Sequence, residues 1–215
     1  MGFSVQVSPT PEAVAEALSD KLAQQLRHGG RAVLAGGQTP LPAYEQLGRC
    51  ALPWEKIELV PSDERCVAPE SPLRNDRQIG RALGLEQVCL HRFPVEQGSV
   101  AAALQMEPVV ARMLPFTTVV LGLGEDGHTA SLFPGLPIPA KALVAPVLRA
   151  PKPPPERVTL TPLALAQTEL LVLVAVGLSK REALRRVLAG EALPPNQIKA
   201  PQRIVFCDHA AYPDS

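Results

Sequence analysis

Short segments rich in valine, leucine and isoleucine alternate with helical patterns along this chain, and this alternation constrains the fold more than any other feature. The apolar segments suit strands that are covered on both faces of a sheet; they lie at 31–35, 57–60, 117–121, 170–176 and 203–206. Helical patterns separate them at 41–49, 74–83, 99–113 and 179–189. This order predicts an α/β fold with a mostly parallel β-sheet.

The first helix carries start and stop signals. Thr10 is a typical N-cap, Pro11 suits the first helical position, and Gly29-Gly30 ends the segment. The apolar residues between these signals recur at a spacing of four, which predicts one buried face; they are Val14, Leu18, Leu22 and Leu26. In the later helix at 99–113, we expect Pro108 to introduce a kink or a split, because proline removes a backbone hydrogen bond.

One low-complexity stretch, Pro151–Pro155, has the composition of a stiff extended connector. It could divide the chain in two, but the strand pattern in residues 156–215 is too apolar to stand alone. A chain of 215 residues fits one domain. We therefore predict a single domain over residues 1–215.

Composition excludes several classes of function. The chain has 21 basic and 21 acidic residues and only 4% aromatic residues, so it lacks the charge and the stacking side chains of nucleic-acid-binding proteins. The solvent-exposed face of a helix is a better explanation for Arg181, Arg185 and Arg186 than a surface that binds the phosphate backbone of a nucleic acid. No run of about 20 apolar residues is present to span a bilayer, and the N-terminus lacks the regions of a signal peptide. We expect a cytoplasmic protein that binds a small molecule, with no nucleic acid or membrane as partner.

The cysteines and most of the histidines show no ligand spacing. The cysteines are dispersed without a C-x-x-C pair, which predicts neither a disulfide framework nor a zinc ribbon; they are Cys50, Cys66, Cys89 and Cys207. We expect His28, His91 and His209 to serve structure or to face solvent. The sequence therefore predicts no metal site.

In a parallel α/β sheet, ligands bind beyond the carboxyl ends of the strands. The loop after segment 31–35 reads Gly36-Gly37-Gln38-Thr39-Pro40. Its glycines let the backbone approach a ligand, and Thr39 suits a helix cap with Pro40 in the first turn. Free N–H groups at such a helix start attract an anion, phosphate above all. The alternative is a tight turn with an ordinary cap.

The loop after segment 57–60 contains Asp63, Glu64 and Arg65. Arg65 is suited to bind a phosphate or carboxylate with two parallel hydrogen bonds, while one of the acids fixes the geometry. In isolation, a solvated turn is the more common explanation of such a charge cluster.

The loop after segment 117–121 begins with GLGEDGH at 122–128, and its first six residues match the dinucleotide fingerprint G-x-G-x-x-G. Pro134 follows too soon for the long helix that this fingerprint should open, and Asp126 would place a carboxylate among N–H groups meant for a pyrophosphate. We therefore interpret the segment as a glycine-bracketed turn that presents Asp126 and His128 to a cavity. A histidine with an acid two residues before it is a candidate general base, although a lone histidine is more often structural.

Together these loops resemble the 6-phosphogluconolactonases. The motifs that carry the resemblance are GGQTP at 36–40, DERCV at 63–67, GLGEDGHTASLFPG at 122–135, RVTLTP at 157–162 and GLSKREAL at 177–184. The resemblance extends from about residue 9 to 211, and 124–135 is its most specific part. It implies hydrolysis of 6-phospho-D-glucono-1,5-lactone to 6-phospho-D-gluconate, in the oxidative branch of the pentose phosphate pathway, without a cofactor. It also implies a doubly wound sheet flanked by helices, similar to glucosamine-6-phosphate isomerase/deaminase.

The resemblance also implies which residues form the site: His128 as the catalytic histidine, with substrate or phosphate contacts from Gly36, Gly37, Thr39, Asp63, Glu64, Arg65, Arg157 and Lys180. We expect neutral His128 to activate water and Asp126 to orient the imidazole, while backbone N–H groups near Gly124 and Gly127 hold the oxyanion. Arg65 and Lys180 are the expected phosphate clamp, with Arg157 as a third member. Ser131 is a weaker candidate nucleophile, because no G-x-S-x-G elbow surrounds it.

The sequence departs from the family pattern at two places. Where the family often has Ser-Asn, this chain has Arg74-Asn75, so the amide is kept and the hydroxyl is lost. Arg74 is either a further phosphate contact or a surface residue. The Phe-Asp that the family has before the third strand is replaced by Thr117-Thr118; a structural role for that aspartate would leave activity intact.

Two other functions remain open at this point. An amino-sugar-phosphate isomerase/deaminase shares the architecture and the Gly-x-Asp-Gly-His turn, but it tends to continue with Phe-Asn-Glu-Pro-Gly, whereas 131–135 here lacks the glutamate. A non-catalytic sugar-phosphate-binding protein should have lost the base or gained a recognition module, yet His128 is present. We expect a sugar-phosphate lactone as the ligand and a monomer or weak homodimer.

Overall fold

The computed structural model describes residues 2–84 and 88–214. Its strands are β1 (Ser4–Ser8), β2 (Gly30–Leu34), β3 (Ile57–Pro61), β4 (Asp63–Arg65), β5 (Cys89–Leu90), β6 (Phe116–Gly122), β7 (Val144–Val147), β8 (Arg157–Leu160), β9 (Thr168–Ala175) and β10 (Gln202–Asp208). Its α-helices are α1 (Pro11–Leu26), α2 (Leu41–Leu47), α3 (Asn75–Leu83), α4 (Ser99–Met113), α5 (Pro162–Leu165), α6 (Arg181–Leu188) and α7 (Pro194–Gln197). Short 3₁₀ turns lie at Trp54–Lys56, Val95–Gln97 and Leu178–Lys180.

Seven strands form a parallel sheet in the order β1-β10-β9-β6-β2-β3-β5, and β4, β8 and β7 form a small antiparallel sheet. The five predicted strands are confirmed as β2, β3, β6, β9 and β10, and they pair in parallel. The sequence pattern missed β1, an edge strand in which valine alternates with serine and glutamine. It also missed the small sheet, whose strands of three or four residues are too short to show a period.

Helices cover both faces of the parallel sheet. On one face, α1, α2 and α3 bury residues such as Leu22 against sheet residues that include Leu34. On the other face, α4 and α6 bury residues such as Val110 together with Val33. Successive strand residues point to opposite faces, so Val33 and Leu34 enter different cores, and each central strand must be apolar on both sides. The doubly wound α/β fold is confirmed.

Helix α1 begins as predicted, because the Ala13 N–H donates to Thr10 Oγ1 at 3.2 Å. Helix α4, in contrast, continues through Pro108, so the predicted split there is wrong. Met106 and Val110 on either side of the proline are buried in the core, and this packing offsets the hydrogen bond that the proline removes. Among the described residues, no helix combines the length and the apolar character needed to cross a bilayer.

The strand order reverses at β2, which places a crevice at one edge of the sheet. The chain runs from β2 to its neighbour β3 on one side, while β6, the neighbour on the other side, leads on to β9. The loops that leave the carboxyl ends of β2 and β6 therefore diverge. A crevice at such a reversal is the usual ligand site of an open α/β sheet.

Candidate active site

A cavity of about 200 Å³ lies at this crevice, bounded by the loops after β2, β3 and β6 and by side chains from later loops. Nine of the twelve site residues predicted from the sequence line it: Gly36, Gly37, Thr39, Asp63, Arg65, Gly124, His128, Arg157 and Lys180. The other three, Glu64, Asp126 and Gly127, lie outside its lining. The fold therefore brings together loops that are more than 100 residues apart in the sequence.

His128 lines the cavity and forms a hydrogen-bonded pair with Asp126. Asp126 Oδ1 lies 2.5 Å from His128 Nδ1. Because a carboxylate accepts the bond, Nδ1 carries the proton, and Nε2 keeps a lone pair. The imidazole also stacks on Phe133, with ring centroids 4.7 Å apart. Its orientation is therefore fixed from two sides.

Burial lowers the pKa of His128 below its ordinary value of 6.5 and outweighs the opposing effect of Asp126, and the positive charge of Lys152 also lowers it. Burial acts to raise the pKa of Asp126, but the hydrogen bond and charge of His128 outweigh burial and hold this pKa below its ordinary value. The pair therefore favours a neutral imidazole beside an ionised carboxylate at neutral pH. A general base needs this protonation state.

Two glycines shape the turn that carries this pair. A β-carbon at Gly124 would overlap His128 Nδ1 and Asp126 Oδ1, and Gly127 has a φ of +87°, which favours glycine. The Gly124 N–H donates to His128 O at 2.8 Å, and the Gly127 N–H donates to Gly124 O at 2.9 Å. Both groups are therefore engaged within the turn, and the prediction that they hold an oxyanion is wrong.

Glu64 does not bind in the cavity, contrary to its predicted place in the site. It is completely buried, and its carboxylate accepts the N–H groups of Asn75 at 2.7 Å, Asp76 at 2.8 Å and Arg65 at 2.8 Å. A carboxylate at a helix N-terminus satisfies donors that have no partner within the helix. Glu64 therefore anchors the start of α3 to β4.

The two departures from the family pattern differ in how far the structure explains them: Arg74 and Thr117 make defined contacts, whereas Thr118 Oγ1 is buried without a hydrogen-bond partner among the described residues. Arg74 is buried and donates to both carboxylate oxygens of Asp76, at 3.2 and 2.7 Å, and to Glu96 at 2.8 Å. It is therefore neither a surface residue nor part of the cavity lining. Thr117 Oγ1 accepts the Arg31 N–H at 3.2 Å, which ties the start of β6 to β2.

Asp63 presents a buried carboxylate at the cavity wall, held by its neighbours. Ser131 Oγ donates to Oδ2 at 2.6 Å, and Ser62 Oγ donates to Oδ1 at 2.8 Å. Ser131 is itself completely buried. The Ser131 hydroxyl is hydrogen-bonded to Asp63, which supports the prediction that Ser131 is a weaker candidate nucleophile.

Asn75 lines the cavity, although sequence analysis identified it only as a match to the family pattern and assigned it no function. Its side chain is almost completely buried, and Nδ2 donates to the backbone oxygen of Asp63 at 2.7 Å, which fixes the orientation of the amide. Asn75 Oδ1 has no hydrogen-bond partner within residues 2–84 and 88–214. Gly36 lies so close that a β-carbon there would overlap this oxygen. Buried amide oxygens are seldom left without a donor, so Asn75 is suited to accept a hydroxyl from a ligand.

The loop after β2 differs in detail from its predicted form. Helix α2 begins at Leu41 with Pro40 as its N-cap and no side-chain cap, so the prediction that Thr39 caps this helix is wrong. The Gly37 N–H donates to Gln78 Oε1 at 2.9 Å, which ties the loop to α3. The Gln38 and Thr39 N–H groups donate no hydrogen bond within the part of the chain that the structure describes. Both remain available to a ligand.

Strands β4 and β8 place Arg65 and Arg157 directly opposite each other. Like charges in such a cross-strand pair repel, which favours an anion beside them. Arg65 donates to Leu73 O at 2.7 Å, and its buried Nε has no partner among the described residues. Arg157 donates to the backbone oxygens of Lys152, Pro153 and Pro154 at 3.0–3.1 Å.

The Pro151–Pro155 stretch bends around the Arg157 guanidinium, so its prediction as an extended connector is wrong. The bend brings Lys152 into the cavity wall, with Nζ 3.5 Å from Asp126 Oδ1. Lys180 reaches the cavity from the turn after β9, and its Nζ lies 3.4 Å from Glu125 Oε1. The sequence pattern missed Lys152 because the position of its side chain depends on Arg157 and not on its own neighbours.

Comparison with known proteins shows which family this chain resembles. A family model described as glucosamine-6-phosphate isomerases/6-phosphogluconolactonase matches residues 9–210. A 6-phosphogluconolactonase of Synechocystis sp. is 35% identical over 186 residues, which cover 78% of this chain and 75% of that protein. One from Pseudomonas putida is 33% identical over 217 residues, with coverage of 91% and 89%.

A solved structure, that of 6-phosphogluconolactonase from Thermotoga maritima, superposes with a TM-score of 0.87 at 26% identity and covers 96% of this chain and 99% of that one. The similarity in fold thus extends over almost the whole chain. On this evidence the chain belongs to the family of glucosamine-6-phosphate isomerases and 6-phosphogluconolactonases.

Proposed function

We propose that this protein hydrolyses 6-phospho-D-glucono-1,5-lactone to 6-phospho-D-gluconate, the lactonase step of the oxidative branch of the pentose phosphate pathway. The observation that carries the proposal is a histidine with a free Nε2 lone pair in a cavity that is also lined by four cationic side chains, Arg65, Lys152, Arg157 and Lys180. The names of the relatives, which match most of the chain, support the same reaction. Water is the only co-reactant that the reaction requires.

His128 acts as the general base. Its Nε2 takes a proton from water while the water oxygen attacks C1, and the carbonyl electrons move to the carbonyl oxygen. Collapse of this intermediate breaks the bond between C1 and the ring oxygen, which takes the proton back from the imidazole and becomes the C5 hydroxyl. The new carboxylic acid then ionises. Asp126 keeps Nδ1 protonated and stabilises the charged imidazole between the two steps.

Lys152 stabilises the negative charge that develops on the carbonyl oxygen. The N–H groups of Gly124 and Gly127 are engaged within their turn, so this charge needs another partner. Lys152 Nζ lies on the same side of the cavity as the His128–Asp126 pair, 3.5 Å from Asp126 Oδ1. A fixed cation beside the reacting carbonyl lowers the barrier through electrostatic stabilisation. Arg157 holds Lys152 in place through the backbone oxygens of the bend.

Arg65 and Lys180 bind the phosphate, with Arg157 as the third cation. The buried Arg65 Nε supplies a donor without a protein partner among the described residues, and the N–H groups of Gln38 and Thr39 add two more. The phosphate does not react, but its binding energy positions C1 beside His128. Asn75 Oδ1 and the Asp63 carboxylate accept hydroxyl groups of the sugar.

The test is a stopped-flow assay of proton release from freshly generated 6-phosphogluconolactone, with a parallel assay of ammonia release from glucosamine 6-phosphate. We expect lactone opening well above the spontaneous rate, in proportion to enzyme concentration, and no ammonia. Ammonia release without lactone opening would identify an isomerase/deaminase instead. Binding of the sugar phosphate without either reaction would identify a non-catalytic binding protein.

A further inference from the structure

Away from the catalytic cavity, Glu58, Cys89 and His91 bring a carboxylate, a thiol and an imidazole together at the edge of the parallel sheet. One ligand atom from each of the three lies within 4.8 Å of the other two. Sequence analysis did not predict this cluster, because Glu58 is remote from the other two residues in the chain. His91 was expected to serve structure or to face solvent.

The register of the sheet explains why the three side chains meet. Glu58 on β3 pairs directly with Cys89 on β5. His91 follows Cys89 by two residues, and residues with this spacing share one face of a strand. The His91 N–H donates to Leu59 O at 2.8 Å, which extends the pairing beyond β5. Each of the three ligands is therefore held by paired backbone and not by a free loop.

The distances are close to those of a tetrahedral metal site. With metal–sulfur and metal–nitrogen bonds of about 2.3 and 2.0–2.1 Å, the sulfur and nitrogen ligands of a tetrahedron lie about 3.6 Å apart. Cys89 Sγ lies 3.7 Å from His91 Nε2. Glu58 Oε2 lies 2.8 Å from the same nitrogen, whereas a tetrahedral site needs about 3.4 Å. A shift of roughly 0.5 Å in the half-exposed Glu58 side chain would therefore admit an ion.

We propose that Glu58, Cys89 and His91 form a binding site for a zinc-type divalent transition metal, with water as the fourth ligand. A thiolate with an imidazole selects Zn²⁺, Co²⁺ or Ni²⁺ over Mg²⁺ and Ca²⁺, which require sets of oxygen ligands. Cys89 is exposed, so both the ion and the water have access. The other carboxylate oxygen of Glu58 lies 3.5 Å from Arg31 Nε, which leaves Oε2 for the metal.

The ion acts as a structural link and not as a catalyst. Glu58 lies near the amino end of β3, whereas the cavity residue Ser62 follows its carboxyl end, and four residues of strand span roughly 13 Å. The two-residue strand β5 is the outermost strand of the sheet. A metal bound to all three residues therefore links the edge strand β5 to β3 and stabilises the edge of the sheet.

Cobalt binding tests the proposal directly, because a cobalt–thiolate bond gives an ultraviolet charge-transfer band. We expect EDTA-treated protein to bind one equivalent of Co²⁺ with this band, and Zn²⁺ to displace it. Cys89→Ser should abolish the band, and His91→Gln should weaken binding at least tenfold. Cys50→Ser, which changes a half-buried cysteine elsewhere, is the matched control and should retain the band, as should His128→Ala.

Thermal unfolding gives a second readout. Zn²⁺ at about 100 times its Kd should raise the Tm by about 5–11 °C in the wild type and not in Cys89→Ser, while lactone hydrolysis stays the same in both. Absence of the cobalt band, or its persistence in Cys89→Ser, would overturn the proposal and reduce the cluster to a hydrogen bond between His91 and Glu58. Neither result would affect the proposed lactonase activity, which is measured separately.

Discussion

Gly124 packs closely against the proposed catalytic pair, His128 and Asp126, and Gly124→Ala tests the importance of this packing with a small change. The new methyl group would overlap both His128 Nδ1 and Asp126 Oδ1, whereas ordinary contact at a β-carbon begins at 3.4 Å. The backbone at residue 124 does not have the positive φ that disfavours alanine. The substitution should therefore displace the imidazole or the carboxylate and leave the fold intact.

The expected loss of activity follows from the size of this displacement. To restore ordinary contact, the imidazole must retreat by about 1.4 Å, and a misplacement of even about 1 Å costs about 100-fold in rate. This factor corresponds to about 2.7 kcal/mol of transition-state stabilisation. KM should change little, because the proposed phosphate ligands Arg65 and Lys180 lie on other loops.

Stopped-flow measurement of kcat and KM for lactone opening checks this prediction, with the Tm as a control for folding. Gly122→Ala is a matched variant, since Gly122 also lines the cavity but a β-carbon there meets nothing within 4 Å. We expect Gly122→Ala to stay within a few-fold of wild type. Wild-type kcat in Gly124→Ala, or an equal loss in both variants, would refute the argument that close packing at Gly124 positions the base.

Three further predictions address the phosphate ligand, the protonation of the base and the buried ion pairs. Arg65→Ala should lower kcat/KM for the phosphorylated lactone about 10- to 100-fold more than for plain gluconolactone; equal losses on both substrates would show that Arg65 does not bind the phosphate. Because only the neutral imidazole accepts a proton and burial lowers its pKa, kcat/KM should rise with pH through a midpoint below 6.5. Lys152→Met removes a charge that lowers this pKa and should move the midpoint to higher pH, which an unchanged pH profile would contradict. Arg74→Ala leaves the buried carboxylates of Glu64 and Asp76 without their cation. The free energy of unfolding, measured by urea denaturation, should therefore fall by about 3–5 kcal/mol. A loss below 1 kcal/mol would show that these ion pairs contribute little to stability.

The sequence was most informative where local composition determines structure. Central strands such as β6 and β9 must be apolar on both sides, so their segments were visible without any long-range information. The general rule that ligands bind at the carboxyl ends of strands then selected the loops that contain Arg65 and His128. The most specific motif of the chain, at 124–135, pointed to the same edge of the sheet.

The features that the sequence missed depend on partners that are distant along the chain. Lys152 reaches the cavity because Arg157 holds the bend, and Arg65 faces Arg157 because of the register between β4 and β8. Glu64 was predicted to contact the substrate, yet its carboxylate accepts hydrogen bonds from backbone N–H groups at the start of α3. The cluster around Cys89 likewise follows from strand pairing, which spacing in the sequence does not reveal.

The most direct test of the central claim compares catalysis with binding in His128→Ala. If the imidazole is the base in a cavity that binds the sugar phosphate through other residues, kcat should fall by about 10²–10⁴. The Kd for 6-phosphogluconate, measured by calorimetry, should stay within a few-fold of wild type. Turnover of the lactone by this variant at the wild-type rate would contradict the account.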